Sequence, residues 1–142
     1  MPHQLDLDKT YIKMAREWAS LSKAERKKVG CIIVKEGAII SDGYNGTPKG
    51  FDNQCEDIDY FNQLITREEV LHAESNAITK LAKSTQSSVG STMYITISPC
   101  IECAKLIIQS EISRVVYGDF YRSDAGLKLL KKAGIIVEQC EE

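Results

Sequence analysis

The chain has 142 residues, with 18 Lys and Arg against 20 Asp and Glu, a net charge of −2, and 43% hydrophobic residues. That length suits a single domain, 1–142, with one core, and the composition excludes a mainly disordered chain. No apolar run approaches the ~20 residues of a bilayer span, the N-terminal stretch lacks a secretory profile, and the mild acidity argues against a nucleic-acid polymer as partner. The expectation is a cytoplasmic protein with neither membrane nor nucleic acid as partner.

From Asp6 to about Ser22, the residues Tyr11, Ile12, Ala15, Trp18, Ala19 and Leu21 recur at helical spacing, with Asp6 or Asp8 as the N-cap. Val29 to Lys35 and Ala38 to Tyr44 are β-branched runs joined by Glu36-Gly37, which reads as a hairpin. Asn45 to about Ile65 is polar and without period, a loop long enough to be functional. Ala73 to Lys83 reads as helix and Thr92 to Ile97 as strand, and Pro99 opens a helix that runs to about Ser110. Arg114 to Tyr117 is a strand, Ser123 caps a helix that Gly134 stops after Ala133, and Ile135 to Glu138 is the last strand. The β-α-β units predict an α/β fold: a three-layer α/β/α domain whose five-stranded mixed sheet has an antiparallel hairpin and parallel strands 3–5.

Five Cys stand beside two His. An odd thiol count makes a poor disulfide framework and turns attention to metal or catalysis. His72-Ala73-Glu74 and Pro99-Cys100-Ile101-Glu102-Cys103 both fall at helix starts. Cys100 and Cys103, three apart, share a helix face, and with His72 they make a donor set suited to Zn²⁺ with a fourth position left for water. Residues two apart on a helix do not face each other, so an ion shared with His72 lies off the helix start. Glu74 then reaches the water and not the ion, as its base, and two helix N-termini favour the thiolates. The competing reading is a closed structural zinc with a fourth thiolate from Cys31, Cys55 or Cys140, which leaves Glu74 without a use.

H-x-E followed by P-C-x-x-C is recognised as the zinc-deaminase signature. The chain resembles the cytidine and deoxycytidylate deaminase superfamily over about Lys9 to Glu138. His72 as first ligand, the segment Gly43 to Gly50 (GYNGTPKG) and the insert before His72 are similar to deoxycytidylate (dCMP) deaminases. HAESNAI departs from their pattern only in Ser75, where a larger apolar residue is common.

The resemblance implies hydrolysis of dCMP to dUMP and ammonia with one catalytic Zn²⁺ and Glu74 as proton carrier, on the route to dTTP. The backbone N–H of Ala73 is free at a helix start and suits the pyrimidine O2. Asn45 holds base or sugar by resemblance, against the plainer reading of a turn residue before Gly46. Arg26 is chosen for the phosphate from the basic run Lys23 to Lys28, and Tyr121 for stacking on the base. The family further implies a homohexamer activated by dCTP with Mg²⁺ and inhibited by dTTP, with Gly43, Tyr44, Asn45 and Gly46 in the effector region. Lys80 and Lys83, three apart on the helix after Glu74, are placed with that region as residues that could meet an effector at a subunit contact, against the plainer reading of solvent-facing lysines. The acidic residues Asp52, Glu56, Asp57 and Asp59 of the insert would alone repel a triphosphate. Alternatives are a tRNA-adenosine or free-base deaminase, or a non-enzymatic structural zinc domain.

Overall fold

Side-chain alternation along the strands decides the layers. The computed structural model describes residues 2–141. Five strands, β1 (Gly30–Lys35), β2 (Ala38–Tyr44), β5 (Thr92–Ile97), β6 (Arg114–Asp119) and β7 (Ile136–Gln139), form one sheet in the order β2-β1-β5-β6-β7. Cys31, Ile33, Met93, Ile95 and Val115 face one side and pack against α2 (Ala73–Leu81), α3 (Ile101–Gln109) and α4 (Ala125–Lys132). Their neighbours Ile32, Val34, Tyr94 and Val116 face the other side, against Ile12 and Ala15 of α1 (Gln4–Ala19). Each central strand thus serves two cores, and the expected three layers result.

β1 runs antiparallel to both β2 and β5, whereas β5, β6 and β7 are parallel. The crossover from β2 through α2 therefore passes over β1 before reaching β5. This direction puts the start of β1 beside the end of β5, where the Gly30 N–H donates to Thr96 Oγ1 at 3.2 Å. Glu36 and Gly37 have φ of 51° and 78°, the two positive values of a tight hairpin turn. Gly43 lies so close under α2 that a Cβ would meet the Ala73 carbonyl oxygen and the Ala77 nitrogen.

Several sequence expectations shift. α1 begins at Gln4 with His3 as its N-cap, so neither Asp6 nor Asp8 caps it. Asp8 sits inside the helix, 6% exposed, because Arg114 grips both its oxygens at 3.0 and 2.6 Å and the Tyr94 hydroxyl donates to it at 2.6 Å. Leu21 falls beyond the helix and is 46% exposed. Pro99 precedes α3 instead of opening it, since Cys100 takes the N-cap position with an extended backbone. Ser123 stands one residue before the Asp124 N-cap but still accepts the Ala125 N–H at 3.1 Å. Gly134, at φ 85°, ends α4 as expected. The supposed long loop contains a second hairpin, β3 (Glu56–Ile58) paired with β4 (Leu64–Thr66). Among the described residues, no helix is long and apolar enough to cross a membrane.

Candidate active site

The ends of β2, β5 and β6 and the start of β1 meet at one edge of the sheet. A cavity of about 470 Å³ opens there, with Arg26, Asn45, His72, Glu74, Cys100 and Tyr121 in its wall. His72 and Cys100 are the N-caps of α2 and α3, both with extended backbone, so each side chain projects off a helix start. Cys103 follows one turn into α3 and is 3% exposed. His72 Nδ1 lies 3.2 Å from Cys103 Sγ and 3.5 Å from Cys100 Sγ. A tetrahedral zinc with bonds of ~2.0–2.3 Å requires donor atoms about 3.5 Å apart, so the three residues fit the ion. Among the described residues the cluster consists of these three donors, and Cys31, Cys55 and Cys140 stand outside it.

The donors already share protons. Hydrogen bonds from Cys103 and then His72 hold the Cys100 thiol down to about 3. Cys103 is pushed up, first by its hydrogen bond to Cys100 and then by burial, and His72 is raised by its bond to Cys100. A divalent ion entering the cluster displaces those protons. Glu74 is 4% exposed, and burial pushes its carboxyl up to about 7, against the opposing pull of its own backbone N–H and of His72. A carboxyl poised there can both take and give a proton near neutral pH.

Ala73 is fully buried at the first position of α2, where an N–H has no acceptor within the helix, and it lines the cavity. Asn45 proves to be more than a turn residue. Its Oδ1 accepts the Val29 N–H at 2.8 Å and its Nδ2 donates to the Lys27 carbonyl at 2.7 Å, which clamps the basic loop to the cavity. One amide hydrogen and one lone pair of Asn45 stay available. Arg26 reaches Thr66 Oγ1 at 3.0 Å. Lys27 Nζ and the Arg122 guanidinium lie 4.9 and 5.0 Å from the Tyr121 ring centre. Lys27 and Arg122 also line the cavity, although the sequence singled out Arg26 from the basic run and Tyr121 from the Tyr121-Arg122 turn in their place. Their signal was present: one belongs to the basic run and the other adjoins Tyr121. Among the described residues, none of these three cations has a carboxylate partner.

The remaining predicted residues fall elsewhere. Lys80 pairs with Asp42 of β2 and lies 6.0 Å over the Trp18 ring, outside the cavity wall, as does Lys83. Tyr44 meets Trp18 edge-on at 6.4 Å, and Gly46 exchanges backbone hydrogen bonds of 3.0 and 2.8 Å with Leu71. The acidic insert is engaged with itself: Asp52 and Asp57 face Arg67, and Asp59 accepts the Phe61 and Gln63 N–H groups.

Residues 5–119 match the model of the cytidine and deoxycytidylate deaminase zinc-binding region. The chain is similar to the deoxycytidylate deaminase of Saccharomyces cerevisiae, 38% identical over 93% of this chain but only 44% of that protein. It is 32% identical to the deoxycytidylate deaminase of Enterobacteria phage T4, over 90% of this chain and 86% of that one. The crystal structure of a dCMP deaminase from cyanophage S-TIM5, in complex with dCMP and dUMP, superposes with a TM-score of 0.89 at 40% identity, covering 97% and 99% of the two chains.

Proposed function

The chain belongs to the cytidine and deoxycytidylate deaminase family, and on that premise we propose that it converts dCMP and water to dUMP and ammonia. The observation that carries the substrate is the cavity mouth. Among the described residues Arg26, Lys27 and Arg122 have no carboxylate partner there, and unneutralised cations beside a cavity favour an anionic ligand. A 5′-phosphate on the base undergoing reaction answers that requirement.

His72, Cys100 and Cys103 would hold Zn²⁺, which when bound supplies the Lewis acidity that lets a water act as nucleophile near neutral pH. Glu74 takes a proton from the attacking water, passes it to ring N3 and carries the second to the departing amine. Carbon 4 thereby gains oxygen and loses ammonia, with Glu74 returned to its starting state. The Ala73 N–H donates to the pyrimidine O2, fixing the ring in register with Glu74. Asn45 uses its remaining amide hydrogen and lone pair for the sugar, Tyr121 stacks on the base, and Arg26 binds the phosphate.

Ammonia release from dCMP by the zinc-loaded chain tests the reading. Protein carrying one zinc per chain that releases none overturns it. The proposal extends to a role in dTTP precursor supply, a cytoplasmic location, a homohexamer, and control by dCTP with Mg²⁺ and by dTTP. The pathway, hexamer and effector control rest on the family resemblance, the effector region on the Gly43–Gly50 segment within it, and the location on the sequence expectation; turnover measured with and without each triphosphate checks the control. Solved structures of tRNA A34 deaminases, at 18% identity and a TM-score of 0.61, share the fold alone.

A further inference from the structure

Glu56 lines the same cavity and takes no part in the chemistry above. It is 7% exposed at the start of β3, next to a run of cations. A buried carboxylate in such a place ordinarily neutralises the nearest guanidinium. Here it does not. Its Oε2 accepts the backbone N–H groups of Glu25 at 2.9 Å and Arg26 at 3.0 Å. The loop from Ser22 to Lys28 belongs to no helix or strand, so those N–H groups have no ladder partner, and Glu56 supplies their acceptor. The Arg26 guanidinium goes instead to the neutral hydroxyl of Thr66, at 3.0 Å.

Glu56 and Thr66 are direct register partners in the β3–β4 hairpin. One rung therefore grips both the main chain and the side chain of Arg26 and leaves the guanidinium charge unneutralised. Arg67 secures the rung from below, through its N–H to the Cys55 carbonyl at 2.8 Å and its Nε to Asp57 at 3.0 Å. On the opposite side, Asn45 holds Lys27 and Val29. The loop is clamped between an amide on the catalytic side and a carboxylate on the hairpin side.

We propose that Glu56, assisted by Thr66, is a positioning residue that sets selectivity for a nucleoside monophosphate over the free nucleoside, by holding the loop so that Arg26 presents its full charge to the phosphate. This rests on dCMP being the substrate. Glu56 acts through Arg26 and touches neither the base nor the reacting carbon. Its removal therefore affects the binding of phosphate-bearing ligands and leaves the chemical step alone.

The test compares dCMP turnover with inhibition by deoxycytidine, which lacks the phosphate, in the zinc-loaded enzyme. Glu56→Gln raises the KM for dCMP by about tenfold, the scale of one charge-assisted contact, with kcat and the Ki of deoxycytidine unchanged. Glu56→Asp recovers part of the loss, and adding Glu56→Gln to Arg26→Ala costs nothing more than Arg26→Ala alone. A parallel rise in the deoxycytidine Ki, a fall in kcat, or additivity with Arg26→Ala overturns the proposal. Should Glu56→Gln fail to fold, Thr66→Val decides: a selective rise in the dCMP KM of about threefold supports it, and an unchanged KM overturns it. A wild-type enzyme inactive on dCMP would instead strike the substrate reading itself.

Discussion

Two buried carboxylates sit on opposite faces of the sheet, Asp8 at 6% exposure and Glu74 at 4%. Burial pushes both upward, yet they end on opposite sides of their ordinary values. For Asp8 the hydrogen bonds from Arg114, Tyr94 and Gln4 outweigh burial and hold it low. Among the described residues Glu74 has no cationic side chain in hydrogen-bond contact, and burial carries it to about 7. The cations divide in the same way. Arg114 is shared between Asp8 and Glu138 at 2.6 and 2.8 Å, whereas Arg26, Lys27 and Arg122 at the cavity have no carboxylate among the described residues. Charges that satisfy one another hold the α1 face together. Charges left unsatisfied define the working edge.

The sharpest way to break this contrast is at Glu74. Glu74→Gln should lower kcat by about 10³-fold, the scale of a lost acid–base group, while zinc content stays at one per chain. A near-normal kcat would remove Glu74 from proton transfer. Next comes Arg114→Met, which leaves Asp8 buried and alone: urea denaturation should show a loss of about 3–5 kcal/mol with the dCMP KM unchanged. A KM shift there would mean that the closed face is not separate from the site. Arg26→Gln should do the reverse, raising the dCMP KM by about tenfold or more while stability moves by no more than ~0.5 kcal/mol.

The smallest effect concerns pH, and its sign differs between the two carboxylates. Glu74 has its native value raised from 4.5 to about 7, so the native metal-free protein binds the extra proton between them. Stability of that form should fall as pH rises through this window, and Glu74→Gln should flatten the slope. Asp8 has its native value lowered from 3.8. Its contribution is present at neutral pH and is lost only as pH falls below 3.8. Denaturation midpoints measured across both ranges separate the two slopes.

What the sequence reveals follows the range of the interactions. His72, Glu74, Cys100 and Cys103 are legible because each short motif lies within one turn of a helix start, and local spacing determines what they can reach. The hairpin at Glu36-Gly37 is legible for the same reason. The β3–β4 hairpin is not, because strands of three residues leave no period and pair only with each other. Asp8 resembles a cap until Arg114, more than a hundred positions along the chain, arrives beside it. Glu56 looks like one more acid in an acidic insert, since its partners Glu25 and Arg26 come from another part of the chain. The pairing of Lys80 with Asp42 is hidden for the same reason, since Asp42 lies on β2, well back along the chain.

The reversed direction of β1 has an evolutionary corollary. Because that strand runs against its neighbours, the loop leading into it arrives at the catalytic edge without belonging to any helical crossover. His72 and Cys100, by contrast, stand at the heads of α2 and α3, whose crossovers build the sheet itself. A handful of loop residues can therefore change, in length or in charge, and reshape the cavity wall while the His72, Cys100 and Cys103 cluster stays in place.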